Sequence, residues 1–275
     1  MYPIVSDLGA DLPLAWLEGR ELVKINQAVE LDGVEELIPL DEESLLAYYQ
    51  RLQGPVCAKT RAMREDELLS VLEPLAKVEK ELLCISFSSA LSGTGAQMAR
   101  TLATLSEKYG CKAVYWDSRQ ASCGQAVLVK RALDNRDKGM SIEENVADLE
   151  KASRRVVFEV LLGKNNRFGK GGRAGLMDEG VGLPLLRLES GKLYTRVGKV
   201  LFLPIAIESW ARKLALEAED GSVVLGHGSN KQQAEECAAL LAKESGKRVD
   251  TTVVNPVMGA HTGDGVLMLA YLGKE

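Results

Sequence analysis

The chain has 275 residues, 46% hydrophobic and 27% charged, with a net charge of -5. Those values fit a globular protein of one large domain or two medium ones and exclude the basic footprint of a nucleic-acid binder. The longest apolar run, Val200–Ile207, is too short to span a membrane and is interrupted by Pro204, and Met1-Tyr2-Pro3 leads into structure with no signal-peptide pattern.

Pro3–Ser6 reads as a first strand, followed by a loop ending at Pro13, which suits the first turn of a helix. Asp7 stands where ligand-facing loops of open parallel sheets gather, and equally where an Asp caps a turn. Glu21–Ile25 is the next strand. Asp41 caps a helix over Glu42–Leu52, with Leu45, Leu46 and Tyr49 on one face. Val56–Thr60 is a short extended piece ending in a hydroxyl, and Glu65–Lys77 an amphipathic helix.

The organising stretch runs from Glu81 to Arg100. Leu82–Ile85 reads as a buried parallel strand, and Ala96, Met98, Ala99 and Leu102 as a helix reaching about Tyr109. Between them Ser86, Ser88, Ser89, Ser92, Gly93, Thr94 and Gly95 offer hydroxyls and backbone N–H groups to an anionic group at the helix start. The same residues also read as an N-cap and a turn. Lys112–Trp116 is a strand and Gln120–Lys138 a long helix, completing an α/β pattern.

The chain breaks near Lys138-Gly139-Met140. Ser141 and Glu144 form a capping box opening a helix to Arg154, and Val156–Leu161 is a strand. Gly163–Gly175 is Gly-rich and carries Lys164, Arg167, Lys170 and Arg173. It is not a Walker A loop, because the spacing before Lys170 is one residue long and Gly171 replaces the magnesium-binding hydroxyl. Leu185–Glu189 and Lys192–Val197 form a hairpin. Ile207–Glu219 is helical, Val223–Leu225 a strand, Lys231–Ser245 a helix and Arg248–Val254 the last clear strand. His261 follows in a Gly-rich turn, flanked by Thr262; a lone His there is either structural or functional. His227 fits a structural role. GxSxG is absent, so no Ser-His-Asp site is assigned. The two histidines lack paired ligand spacing, which predicts no metal site. Five scattered cysteines without a CxxC pair point to a reduced, cytoplasmic setting.

VSDLGADLP, the hydroxyl-ended AKT, SSALSGTGAQMA, WDSRQASCGQ, KGGRAG and GAHTGDG follow one another in an order that resembles the bacterial DegV family over nearly the whole chain. The resemblance implies two α/β domains with the ligand between them. We set these at residues 1–139, mainly parallel, and 140–275, α+β with antiparallel pairing, part of residues 56–80 packing with the second. It further implies a long-chain fatty acid as ligand, and a non-catalytic role as the acyl-carrier subunit of a fatty acid kinase, the kinase itself being a separate subunit. Carried onto this sequence, Thr60 and Ser92 would bond the carboxylate, His261 and Thr262 would lie beside it, and Gly93 and Thr94 would shape the turn. Arg173 would contact the kinase. No cofactor or metal is implied.

Three positions depart from the family pattern. Leu8 follows Asp7 where Ser is usual, the 173–184 segment is short, and Leu201-Phe202 stand where an Arg-Thr pair is usual. A buried carboxylate needs hydroxyl, backbone and imidazole donors, while about fourteen methylenes at roughly 0.8 kcal/mol each supply about 11 kcal/mol before ordering costs. The alternatives are a small-molecule phosphotransferase related to dihydroxyacetone kinase domains, suggested by the basic loop, and a ligand-loaded sensor.

Overall fold

The computed structural model describes residues 1–164, 167, 181–189 and 191–275. Strand β1 (Ile4–Asp7) pairs in parallel with β2 (Val23–Ile25). Between them the predicted Pro13 helix is reduced to one 3-10 turn, Leu14–Trp16. Gly19, at φ 69°, soon follows and leaves no room for further turns.

A hairpin of β3 (Val29–Leu31) and β4 (Val34–Glu36) lies where no element was assigned. Its turn is Asp32-Gly33, both at positive φ (51° and 87°), the pairing that a two-residue hairpin favours. Helix α1 (Glu42–Leu52) starts as predicted, the Asp41 carboxylate accepting from the Ser44 N–H at 2.9 Å. Its buried face is Leu45, Tyr48, Tyr49 and Leu52, with Leu46 at the edge. Strand β5 (Ala58–Lys59) then pairs with β3, so the unanticipated hairpin is what places Thr60.

Helix α2 (Glu65–Val78), β6 (Glu81–Ser86), α3 (Thr94–Tyr109) and β7 (Lys112–Asp117) complete the first sheet. Its order is β2-β1-β6-β7 and every pairing is parallel.

Next come α4 (Ser122–Asp137), α5 (Ile142–Ala152), β8 (Val156–Leu161), β9 (Leu183–Glu189) and β10 (Lys192–Val200). Helix α6 (Leu203–Glu217) begins four residues before the expected Ile207, because Pro204 falls in its first turn and favours that start. Strand β11 (Val223–His227), α7 (Lys231–Ser245), β12 (Val249–Val253), α8 (Pro256–Thr262) and β13 (Leu267–Leu272) finish the chain. The second sheet runs β10-β9-β8-β13-β11-β12 and is antiparallel except at β11–β12. The fold is thus mixed α/β, with one parallel sheet and one antiparallel-rich sheet.

Side-chain alternation sorts the core into layers. In β6, Leu82 and Cys84 face α2 and α3, whereas Leu83 and Ile85 face inward. In β13, Leu267, Leu269 and Tyr271 join the layer of α6 and α7, while Met268, Ala270 and Leu272 face inward. The inner layer holds α4, of whose 16 residues 12 are buried. A helix so buried all round fits between two sheets, and α4 packs on β8, β11 and β13 as well as on β1. Among the described residues no helix is long and apolar enough to cross a membrane.

Candidate functional site

Parallel strands release their loops at the carboxyl ends, and the loops after β1 and β6 leave side by side. They border a cavity of about 310 Å³. One wall is Asp7, Leu8 and Gly9 after β1; another is Phe87, Leu91 and Ser92–Thr94 after β6. The second sheet contributes Phe158 and Val160 from β8, and α8 contributes Val257, Met258, His261 and Thr262. Thr60 also lines it, so all six predicted ligand residues, Thr60, Ser92, Gly93, Thr94, His261 and Thr262, share one cavity.

Their hydroxyls are not equivalent. Thr60 Oγ1 and His261 Nε2 lie 2.9 Å apart, which joins the end of a third, small sheet of order β4-β3-β5 to α8 across 201 residues of chain. Ser92 Oγ accepts from the Thr94 N–H at 3.2 Å and donates to Thr94 Oγ1 at 3.1 Å, while Thr94 Oγ1 accepts from the Met63 N–H at 3.1 Å. Gly93 is the N-cap residue of α3, so the serine-rich stretch is at once a cap and a cavity wall. By helix geometry the N–H groups of Gly95 and Ala96 lack intrahelical acceptors. The Thr262 hydroxyl is buried and donates to the Met258 carbonyl at 3.0 Å, so its donor is already engaged inside α8.

The other serines of that stretch hold the frame. Ser86 donates to Tyr115 Oη at 2.9 Å, Ser88 to the Gly191 carbonyl at 2.6 Å and Ser89 to the Asp117 carboxylate at 2.6 Å.

His261 does not lie in a turn. It sits in the last turn of α8, whose start follows from Asn255-Pro256: the Asn255 side chain caps the Met258 N–H at 3.0 Å and Pro256 occupies the first turn. Gly259 lets this helix approach α1, since a Cβ there would meet Tyr49 Oη at 2.8 Å and Tyr48 at 3.0 Å. His227, by contrast, is buried, with Nδ1 2.8 Å from the Gly228 carbonyl, and burial lowers its pKa.

Asp7 is structural in its contacts. Its buried carboxylate accepts from the N–H of Phe87 (2.8 Å) and of Gly9 (3.0 Å) and from Gln125 Nε2 (2.9 Å), and burial raises its pKa. The sequence offers Asp11 only as a residue just before the Pro13 turn, with no functional role. Burial pushes its carboxyl from the ordinary 3.8 up to about 6, against the lowering effect of the bonds from Ser122 and Asn255. A carboxyl whose folded pKa is raised binds a proton in the fold between pH 4 and 6 that the unfolded chain has lost. Stability therefore falls as pH rises through that window, by about 3 kcal/mol from this group. Urea unfolding of wild type and Asp11→Asn from pH 4 to 7 should show that slope in their difference; a flat difference would refute it.

Thr60 and His261 also line a neighbouring cavity of about 520 Å³ with Val56, Cys57 and Arg167. The Arg167 guanidinium donates to carbonyls at the end of α1 and just beyond it, those of Leu52 (2.7 Å), Gly54 (3.2 Å) and Val56. This basic side chain of the Gly-rich loop thus caps a helix C-terminus. Lys170 and Arg173 lie outside the described residues. Among the described residues no group of three or more His, Cys, Asp or Glu side chains converges as a metal site.

This geometry defines a mixed α/β protein in which both larger sheets and α8 border a cavity with apolar walls, edged by hydroxyls, one imidazole and the polar side chains of Asp7, Gln27, Arg61 and Asn255. The chain belongs to the DegV family: the matching family model, described as "Uncharacterised protein, DegV family", covers residues 1–274. A DegV domain-containing protein of Streptococcus pyogenes serotype M1 is 28% identical over 285 residues, covering 100% of this chain and 99% of its own. In fold the chain is similar to a stearic acid-binding protein from Eubacterium ventriosum (TM-score 0.88, 19% identity, 100% and 99% coverage). It is also similar to a DegV lipid-binding protein from Thermotoga maritima (TM-score 0.85, 22% identity, 100% and 99% coverage).

Proposed function

We propose that this chain binds one long-chain fatty acid in the cavity between its two sheets, with the carboxylate held by Thr60, Ser92 and His261. The observation that carries the reading is the cavity's division of labour. Phe87, Leu91, Phe158, Val160 and Val257 offer apolar wall, and the polar contribution includes the Thr60–His261 pair and the Ser92–Thr94 cap. An acyl chain takes its binding energy from the first set, and a carboxylate needs the second to replace lost water. The fatty-acid ligand named for the E. ventriosum protein supports the same reading. In this account the ligand lies between units of residues 1–139 and 140–275, and the protein itself performs no catalysis.

The test is mass spectrometry of purified protein, native and then denatured. A stoichiometric fatty acid lost on denaturation is the expected result. A clean spectrum together with no uptake of added palmitate or stearate would overturn the reading, and ATP-dependent turnover by the single chain would favour a phosphotransferase.

The bound acid is further proposed to be presented to a separate fatty acid kinase, with Arg173 as a surface contact. Arg173→Ala should then leave fatty acid affinity unchanged and slow acyl phosphate formation by a cognate kinase. Equal loss of both would make Arg173 a structural residue.

A further inference from the structure

Asp11 has no part in the binding chemistry above, yet its 5% exposed carboxylate joins three segments. It accepts from the Asn255 backbone N–H at 2.9 Å, from Asn255 Nδ2 at 3.0 Å on each oxygen, and from the Ser122 hydroxyl at 2.5 Å. Asn255 is the N-cap of α8, and Ser122 is the first residue of α4, held at φ 48°, a conformation uncommon for serine. The Asp11 N–H also reaches the Ser122 carbonyl at 3.4 Å. One carboxylate therefore ties the loop after β1 to the starts of both helices.

Helix α8 has seven residues, too few to hold its own conformation, so its pose depends on its cap and its packing. Packing supplies the bond from Tyr48 Oη to the Pro256 carbonyl at 2.9 Å, and the cap is fixed from outside by Asp11. A buried carboxylate is a costly way to fill this space, and an apolar side chain of similar volume is the cheaper choice for stability alone. Lys24 from β2, Tyr49 from α1 and Cys123 from α4 also feel its charge.

We infer that Asp11 is a positioning residue: by holding Asn255 it sets the pose of α8, and with it the place of His261 beside Thr60. Its effect on ligand affinity rests on the fatty-acid reading; its effect on α8 does not.

The discriminating variant is Asn255→Asp, studied at pH 8. Asp is as good an N-cap as Asn, so capping alone predicts an unchanged or firmer α8. Opposite Asp11 it instead sets two carboxylates face to face. In ligand-free protein the amides of Met258–Thr262 should then exchange about tenfold or more faster, the effect of losing a charge-assisted hydrogen bond. The imidazole NMR signals of His261 should move while those of His227 stay, and the stearate dissociation constant should rise about tenfold. Adding Asp11→Asn to that variant exchanges the partners' roles and should bring all three readouts back to within about threefold of wild type.

Wild-type α8 exchange in Asn255→Asp would overturn the inference, as would a double variant that stays loosened or does not fold. Should Asn255→Asp itself not fold, the double variant decides. If wild-type protein takes up no stearate, the fatty-acid reading falls, and exchange with the His261 signals still decides the role of Asp11.

Discussion

Replacing Thr60 and Ser92 together by alanine is expected to weaken binding of a C16 or C18 fatty acid by about a hundredfold or more. Each hydrogen bond to a carboxylate is worth about 1.5–3 kcal/mol, and a buried carboxylate left short of donors keeps its desolvation penalty. Folding should suffer far less. Both residues are only partly buried, and the principal local loss is the Ser92 bond to the Thr94 N–H, worth about 1 kcal/mol or 2–4 °C in Tm for a chain of this size. Calorimetric titration with palmitate measures the first quantity and thermal unfolding the second. Unchanged affinity in the double variant would remove both hydroxyls from the head-group site. The two substitutions act through different elements, Thr60 at the end of a small sheet and Ser92 before a helix, so their effects should be close to additive unless His261 couples them.

Local chemistry made the elements around the candidate site legible, while the ligand roles of Thr60, Ser92 and His261 came from the DegV resemblance. A strand that turns through Ser and Gly into a helix declares itself in SSALSGTG, and Thr60 stood out as a hydroxyl ending an extended piece. His261 was found as a residue but placed in a turn, because its glycines outweighed the Asn255-Pro256 start that makes α8 a helix. The Asp32-Gly33 hairpin was also readable, being a two-residue turn pair flanked by apolar and acidic residues, yet no element was assigned there. What no local pattern reveals is pairing at long range. Phe158 and Val160 meet the loops of the first sheet only because β8 lies beside β13 over an α4 that both sheets share. Asp11 looks like any loop aspartate until Asn255, 244 residues away, is brought against it.

Phe158→Ala should show how the same wall serves both stability and ligand. The ring is 1% exposed and sits on the inner face of β8, where it belongs to the central cluster and also borders the cavity. Truncating such a residue costs about 3–5 kcal/mol, which lowers Tm by about 10 °C in a chain of this size. The space released adjoins an existing cavity, so a ligand can fill it. Longer or branched acyl chains should therefore gain affinity relative to palmitate. At a hundred times its dissociation constant a ligand returns about 2.7 kcal/mol, most of the loss at the lower end of that range. Thermal unfolding across a series from C12 to C20, for wild type and variant, separates the contributions. A shift of the optimum toward bulkier chains supports Phe158 as a boundary of the acyl site. A lower Tm with the same ranking of ligands would make it a core residue that only happens to face the cavity, and the acyl chain would then have to run along Leu91 and Val257, away from the second sheet.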